Sequence, residues 1–303
     1  MSVNLEELRI DCHGETIAAW QARPVDANGP VPCVVMGHGF SATRHDSLRP
    51  FIEAFADAGY GVLCFDYRYF GDSSGEPRQL ADIASQQDDY RTVISYGRSL
   101  DWIDSERIVL FGSSFSGGHV VEIAAEDHRI AAVIAQSPFT DGRLQLKSAK
   151  PLTLVRGIVD GVIDSVGARL GRPPRMVRVA GPPGSYSLMN SPEAEPGFNR
   201  MVADGSPWRN EVAARIVLKT GSWRPILRAP RIECPLLVAI CDNDQTTPPE
   251  AAERLALAAP LGEFRHYPIG HFELYWGEGF SAIVADEIEF LGRTVAPGLA
   301  VDA

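Results

Sequence analysis

The chain has 303 residues, of which 45% are hydrophobic, and a formal net charge of −11. This length and apolar content are enough for one large domain with a substantial core, with or without an inserted subdomain. The acidic balance argues against a nucleic-acid partner, because binding to phosphates needs a basic surface.

The N-terminus has neither the basic start nor the apolar stretch of a signal peptide, and no apolar run approaches the length of a membrane span. We therefore expect a cytoplasmic protein without a membrane partner. The five cysteines lie far apart, mostly in apolar runs, and lack C-x-x-C spacing. This pattern predicts reduced core residues, not disulfides or metal ligands. They are Cys12, Cys33, Cys64, Cys234 and Cys241.

The first elements predicted along the chain are two short alternating runs, 5–10 and 16–22, which form an antiparallel hairpin at a sheet edge. From residue 31 onward, continuous apolar runs alternate with amphipathic stretches, which is typical of a parallel sheet covered on both faces. The predicted strands are 31–36, 61–65, 108–111, 131–135, 236–240 and 263–267, and the predicted helices are 47–58, 85–99, 117–126, 249–259 and 281–291.

The alternation breaks between about 140 and 230, where prolines separate short apolar pieces. We predict a core domain of residues 1–140 and 231–303 with a cap inserted at 141–230, above the crevice where open α/β folds bind ligands. Residues 142–231 hold 15 Lys and Arg against 6 Asp and Glu. This basic segment either attracts an anionic substrate or complements the acidic core or a partner subunit in a homodimer, and we favour the second interpretation.

A serine lies in a sharp turn between the predicted strand 108–111 and the small-residue stretch that opens the next helix. Such a turn holds a nucleophile on strained backbone and needs small residues two positions before and after it. Ser114 has Gly112 and Ser116 there, whereas Ser113 would have Phe111. Ser116 also fits the size rule but lies farther into the helix, and it stays the rival. A flexible loop is the alternative interpretation.

A serine nucleophile needs a base and a carboxylate that orients the base. His271 follows the last predicted strand, where a loop can present its imidazole at the sheet edge, whereas His266 lies within that strand. The carboxylate is expected after strand 236–240, where Asp242 and Asp244 are both suitable; Asp141 is a more distant alternative. No H-E-x-x-H spacing links the histidines, so we expect no metal site.

The turn Gly37-His38-Gly39-Phe40 follows the strand 31–36. Acyl transfer passes through a tetrahedral oxyanion, and each preorganised N–H donor stabilises it by about 3 kcal/mol. We predict that the backbone N–H groups of Phe40 and Phe115 are these donors. A tight glycine turn without catalytic meaning is compatible with the same residues.

In these motifs the chain resembles the α/β-hydrolase superfamily over nearly its whole length. The resemblance lies in His38-Gly39-Phe40, the turn around Ser114, Gly270-His271-Phe272 and the stretch 65–78, which is similar to a segment of esterases and of X-Pro dipeptidyl-peptidase-like acyl hydrolases with a helical cap. Ser116 departs from the G-x-S-x-G pattern. Because the acid in similar enzymes sits in a D-x-x-x-P context, the resemblance favours Asp244, four residues before Pro248.

The resemblance implies a serine hydrolase of the α/β-hydrolase fold that acts on a small-molecule ester, lactone or thioester, with no cofactor or metal. An aromatic pocket is expected, although the same side chains suit core packing. Its candidates are Phe139, Tyr186, Trp208, Trp223 and Trp276. The alternatives are an acyltransferase or carbon–carbon hydrolase with the same triad, and a catalytically silent binding protein.

Overall fold

The computed structural model describes residues 4–25, 27, 29–144 and 151–297. Its centre is an eight-stranded sheet, with strands numbered in chain order and β7 to β9 lying outside this sheet. The strands are β1 (Leu5–Cys12), β2 (Glu15–Ala22), β3 (Val31–Gly37), β4 (Gly61–Phe65), β5 (Ile103–Ser113), β6 (Ile130–Gln136), β10 (Leu236–Cys241) and β11 (Gly262–Tyr267).

The strand order in this sheet is β1-β2-β4-β3-β5-β6-β10-β11. Strands β1 and β2 form the predicted antiparallel hairpin, and β2 pairs with β4 in antiparallel orientation. From β4 to β11 in this order, all neighbouring strands are parallel. All residues of β3, β4 and β10 are buried, as expected for strands covered on both faces. The predicted fold class is confirmed.

The helices of the core lie within a few residues of their predicted positions. They are α1 (Arg49–Asp57), α2 (Ile83–Arg98), α3 (Phe115–Ala124) and the two later helices Pro249–Ala258 and Gly277–Thr294. Helix α2 begins two residues before its predicted start because the Asp82 side chain accepts a hydrogen bond from the Ser85 N–H and caps the first turn. Helix α1 packs against the closing helix through Phe51 and Phe280, whose ring centroids are 4.8 Å apart.

Residues between β6 and β10 are inserted, because these two strands pair directly in the sheet. The insertion contains a three-stranded sheet of order β8-β7-β9 together with helices. Its elements are helix Pro151–Arg169, β7 (Met176–Ala180), β8 (Ser187–Met189), helix Ala194–Met201, β9 (Val212–Ala213), helix Val217–Thr220, and 3-10 turns Ala214–Ile216, Pro225–Leu227 and Ala229–Arg231. The sequence predicted a helical insertion; strands of two to five residues are too short to show a period of two.

The two ends of the insertion are tied to each other by a salt bridge. Asp141 accepts hydrogen bonds from the Arg224 guanidinium, with 2.8 Å between Oδ2 and Nη2. Within the described part of the chain, no helix is both long enough and apolar enough to cross a membrane.

Candidate active site

Four strands of the sheet end at the same edge, because β3, β5, β10 and β11 are all parallel. The segments that follow them carry His38 to Phe40, Ser114, Asp244 and His271, respectively. Ligands of open α/β sheets bind at this edge. The topology therefore brings together residues that are up to 233 positions apart in the sequence.

Ser114 lies between β5 and α3 with φ 56° and ψ −117°, a conformation that residues other than glycine rarely adopt. Its carbonyl accepts hydrogen bonds from the N–H groups of Gly117 and Phe139, which holds the turn. A side chain at Gly112 would collide with the backbone of Ser116. The tight turn explains why a glycine stands two residues before Ser114.

The two neighbouring serines are buried and face other partners. The Ser113 hydroxyl lies 2.7 Å from the Tyr275 hydroxyl. The Ser116 hydroxyl lies 2.7 Å from both the Tyr67 and the Tyr90 hydroxyls. Of the three serines, Ser114 is therefore the one that the structure places beside a histidine.

His271 contacts both Ser114 and Asp244. Its Nε2 lies 3.0 Å from Ser114 Oγ, and its Nδ1 lies 2.6 Å from Asp244 Oδ2. The side chains of His271 and Asp244 are 3% and 2% exposed, so this chain of hydrogen bonds is shielded from water. With Nδ1–H donated to the carboxylate, the Nε2 lone pair faces the serine hydroxyl, as a general base requires.

Asp244 is held by its own loop. Its Oδ1 accepts hydrogen bonds from the N–H groups of Thr246 and Thr247, each at 2.7 Å, and its Oδ2 accepts one from the Thr247 hydroxyl at 2.7 Å. Burial alone raises the pKa of this carboxyl, but the His271 imidazole and these hydrogen bonds outweigh burial, so the pKa of Asp244 lies below its usual value. Asp244 is thus an ionised acceptor.

The other candidate carboxylates pair elsewhere. Asp242 lies 2.6 Å from Nδ1 of His266, and both side chains are about two-fifths exposed. Asp141 is bound to Arg224. Of the two aspartates, only Asp244 therefore contacts His271, a distinction that their positions in the sequence alone did not provide.

The charge of Asp244 changes the titration of His271. Burial lowers the pKa of a histidine, but the neighbouring Asp244 carboxylate, its hydrogen bond and the charge of Glu193 raise it, and the net shift of the His271 pKa is upward. The imidazole is therefore neutral, and able to take a proton from Ser114, only above that raised pKa.

His38 controls the backbone next to Ser114. Its Nδ1 lies 2.9 Å from the Gly39 carbonyl oxygen, and its Nε2 accepts a hydrogen bond from the Tyr67 N–H at 3.4 Å. Burial lowers the pKa of His38 to about 4, so Nδ1–H is a donor throughout the neutral range. Because the C=O and N–H of a trans peptide point in opposite directions, fixing the Gly39 carbonyl also fixes the Phe40 N–H.

The backbone N–H groups of Phe40 and Phe115 have no hydrogen-bond partner among the described residues. Phe115 is the first residue of α3, where amide groups lack partners within the helix. A Cβ on Gly39 would lie 3.3 Å from Ser114 Cβ, which shows how closely this turn approaches the serine. Both amides are available beside Ser114.

A carboxylate that the sequence analysis missed connects these loops to the insertion. Glu193 precedes helix Ala194–Met201, and its Oε2 accepts a hydrogen bond from the His271 N–H at 3.0 Å. Its Oε1 accepts one from the Gln245 N–H at 2.7 Å and one from the Thr246 hydroxyl at 3.1 Å. Glu193 therefore bridges the loops of Asp244 and His271. A Cβ on Gly270 would lie 2.6 Å from its Oε2.

A cavity of about 400 Å³ opens at Ser114. Core residues Phe40, Phe115 and Phe139 form one wall. The insertion supplies most of the remaining wall, including Leu154. This volume is within the usual range for a small-molecule site.

Two of the five predicted pocket aromatics line this cavity, Phe139 and Tyr186. The structure places the three tryptophans outside the described lining. Trp223 is buried behind Phe139, with stacked rings 5.0 Å apart. Trp208 stacks on Phe198, and Trp276 lies under the Arg200 guanidinium. Composition identified aromatic residues in this region but not the direction in which each one packs.

Residues 32–278 match the family model of the alpha/beta hydrolase fold. The chain belongs to the alpha/beta hydrolase family. The family resemblance drawn from the motifs is confirmed, whereas its X-Pro peptidase-like branch stays a prediction.

This alpha/beta hydrolase is 43% identical over 289 residues to the quorum-quenching protein AidA of Acinetobacter baumannii, and the alignment covers 95% of each chain. It is 27% identical over 296 residues to the thiohydrolase aneE of Aspergillus aculeatus, with coverage of 89% of this chain and 87% of the relative. The crystal structure of the alpha/beta hydrolase GrgF from Penicillium sp. sh18 superposes with a TM-score of 0.84 at 23% identity, covering 97% of this chain and all of that one.

The cavity of this hydrolase has no charged side chain among its described lining residues. Several basic residues of the insertion are engaged elsewhere. Arg175, Arg215 and Arg178 form salt bridges with Asp160, Asp164 and Glu195, and Arg156 lies over the Tyr186 ring at 3.8 Å. These four side chains complement carboxylates and an aromatic ring of the protein, and no basic side chain of the described residues lines the cavity.

Two groups of side chains in the described residues bring metal-type donor atoms within 4.8 Å of one another. One combines His45 with Asp66 and Asp72, both of which form salt bridges with buried Arg44. The second comprises Cys12, His13 and Asp88, and Arg68 pairs with this Asp88. Ion pairs account for both groups, and neither contains a residue of the Ser114 site.

Proposed function

We propose that this protein is a serine hydrolase that cleaves a hydrophobic carboxylic ester or lactone through an acyl-enzyme. The observation that carries the proposal is the series of contacts from Ser114 Oγ to His271 Nε2 at 3.0 Å and from His271 Nδ1 to Asp244 Oδ2 at 2.6 Å, at the mouth of a mostly apolar, uncharged cavity. In this proposal Ser114 is the nucleophile, His271 is the base and Asp244 is the acid that orients the base.

In the first half-reaction, Ser114 Oγ bonds to the carbonyl carbon while its proton passes to His271 Nε2. The carbonyl oxygen becomes an oxyanion, which accepts hydrogen bonds from the Phe40 and Phe115 N–H groups. Collapse of this intermediate breaks the bond to the alkoxy oxygen, which takes the proton from His271. An ester releases an alcohol at this point, whereas an opened lactone keeps the hydroxyl on the acyl chain.

In the second half-reaction, water attacks the carbonyl carbon of the acyl-enzyme and gives a proton to His271. The tetrahedral intermediate collapses with return of that proton to Ser114 Oγ. The product is a carboxylic acid, or a hydroxy acid when the substrate is a lactone. Asp244 stays ionised throughout and stabilises the imidazolium.

The walls of the cavity support an apolar acyl group. Phe40, Phe115, Phe139, Leu154 and Ile216 face it, and burial of apolar substrate surface contributes about 25 cal/mol per Å². We propose that residues 141–230 are the cap of the core formed by residues 1–140 and 231–303. In this proposal the core performs the reaction and the cap selects the acyl chain.

The names of two relatives point to related substrates. The quorum-quenching relative suggests that this chain also inactivates a signalling molecule, which hydrolysis of an ester or lactone would accomplish. The thiohydrolase relative supports thioester hydrolysis as the second candidate. Both reactions use the same acyl-enzyme, and the leaving atom, oxygen or sulfur, distinguishes them.

The experiment that tests the proposal is hydrolysis of an ester, a lactone and a thioester that carry the same acyl chain, by the wild-type protein and by Ser114→Ala. Removal of the nucleophile is expected to lower kcat by about 10⁶-fold on every substrate that is cleaved. A fluorophosphonate should label the wild-type protein and not the variant. Ser113→Ala is the matched control, because Ser113 faces Tyr275, and it should keep activity within a few-fold. Full activity of Ser114→Ala would refute the proposal.

A further inference from the structure

The helix Pro151–Arg169 of the insertion faces the protein with its polar side. Its buried residues are Gly157, Asp160, Gly161 and Asp164. Asp160 accepts hydrogen bonds from Arg175 and the Tyr186 hydroxyl, and Asp164 binds Arg215. The inward side of this helix is therefore held by small residues and ion pairs.

The outward side of the same helix is aliphatic. Seven large aliphatic side chains on this side and Leu170, which directly follows the helix, together form what we call the apolar ridge, and they are between 44% and 82% exposed. The ridge consists of Leu152, Val155, Ile158, Val159, Val162, Ile163, Val166 and Leu170. Its length, at 1.5 Å per residue, is about 28 Å. Soluble monomers seldom expose a contiguous apolar patch larger than a few hundred Å², and such patches mark interaction sites.

We propose that the apolar ridge is the contact surface between two copies of this chain. The spacing of the ridge identifies the partner, because Leu152, Val155, Val159, Val162 and Val166 follow one another at alternating intervals of three and four residues. This spacing forms a seam that packs against another helix of the same kind, each side chain entering a gap between four others. A second molecule of this chain carries the same helix, and it is present wherever the protein is.

The size and charge of the ridge suit a symmetric pair. A standard dimer interface needs about 800 Å² from each partner, which eight half-exposed aliphatic side chains and their flanking residues supply in large part. Asp160 and Asp164 point inward, so pairing buries neither carboxylate. Arg156 and Arg169 are the charged residues exposed along this helix.

A two-fold axis through the middle of the ridge makes the two helices antiparallel. In that arrangement Arg169 of one copy lies at the Leu152 end of the other, about 25 Å from the second Arg169. The repulsion between these guanidinium groups is then small, and Val159 and Val162 lie nearest the axis. The same helix lines the cavity with Thr153, Leu154 and Gly157, so the pairing would hold one wall of each cavity in place.

The test is the mass of the full chain in solution, by sedimentation velocity or light scattering, over about 1 to 100 μM. We expect twice the monomer mass of 32.9 kDa. The double variant Val159→Glu/Val162→Glu should be monomeric at the same concentrations. Its matched control is Leu257→Glu/Leu261→Glu, which changes two exposed leucines of the core and should stay dimeric.

A single cysteine tests the same surface without adding charge. Val162→Cys should form a disulfide-linked dimer on mild oxidation, and Leu257→Cys should not. A monomeric wild-type protein over the whole concentration range would overturn the proposal, and its flotation with phosphatidylglycerol vesicles would then identify a lipid surface as the partner. A dimer that persists in Val159→Glu/Val162→Glu would overturn it as well, by locating the interface elsewhere.

Discussion

The core and the insertion contribute different parts of the Ser114 site. The core supplies Ser114, His271 and Asp244 from loops that directly follow three parallel strands. The insertion supplies much of the cavity wall and one bridging carboxylate, Glu193. Strands of the core position these three side chains, whereas the short elements of the insertion set the shape of the space in front of them.

This division explains how one fold can retain its chemistry while its substrates differ. A change in the core strand ends alters the hydrogen-bonded chain of Ser114, His271 and Asp244. A change in the insertion alters the cavity or the support of the two loops, without touching the reacting atoms. Under the proposed function, substitutions in the core should therefore have larger effects on kcat than substitutions in the insertion.

After Ser114→Ala, the largest effect expected in the core is that of Asp244→Asn. In this variant the side chain at position 244 carries no negative charge to stabilise the imidazolium of His271. The imidazole can also adopt the wrong tautomer, so kcat should fall by up to about 10⁴-fold. Asp242→Asn is the matched control, since Asp242 pairs with His266 at the surface, and it should stay within a few-fold of wild type. Steady-state kinetics with the cleaved ester measures both.

An equal loss in the two aspartate variants would contradict the assigned acid. A loss in Asp242→Asn alone would move the role to that residue. Thermal unfolding of both proteins separates a catalytic loss from a loss of fold, because a folded but inactive Asp244→Asn keeps its unfolding transition.

A smaller effect in the core is expected from His38→Phe. The ring volume is retained, but the donor to the Gly39 carbonyl is lost, so the Phe40 N–H is no longer held towards the oxyanion. One well-placed donor contributes about 3 kcal/mol, and partial misalignment should lower kcat by about 10- to 100-fold with little change in KM. Because the pKa of His38 is about 4, the shape of the pH profile between pH 5 and 9 should be unchanged. A change in KM alone would assign His38 to substrate binding.

The core was largely predictable from the sequence because most of its parallel strands are continuous apolar runs and its helices are amphipathic. The serine turn was recognisable for the same local reason, since small residues must flank it. The choice between Asp242 and Asp244 needed the family resemblance. In the structure it depends on the contact with His271, 27 residues farther along the chain, which no local pattern encodes.

The insertion was less predictable for a physical reason. Its strands have two to five residues, so they carry no usable period, and the direction of each tryptophan depends on packing between distant segments. Glu193 gave no signal at all, because the loops that it bridges lie 52 and 78 residues farther along the chain. Glu193 is one of two acidic residues in a proline-rich stretch and has no local feature that distinguishes it.

The smallest of these effects on turnover, and the one that tests the insertion directly, is that of Glu193→Gln. The amide keeps an oxygen that accepts a hydrogen bond from the His271 N–H but loses the charge that helps to raise the His271 pKa. A general base works only when neutral, so activity falls as pH drops through its pKa. Removing a charge that raises this pKa therefore moves the acid limb of kcat/KM to lower pH.

At high pH, where His271 is neutral in both proteins, kcat of Glu193→Gln should lie within a few-fold of wild type. Glu193→Ala removes the acceptors as well and should lose about 10-fold more, because the loops of Asp244 and His271 lose their common support. Glu195→Gln is the control, since this neighbouring carboxylate of the same helix pairs with Arg178 instead. Equal acid limbs in wild type and Glu193→Gln would show that the insertion forms a wall of the site without influencing its base.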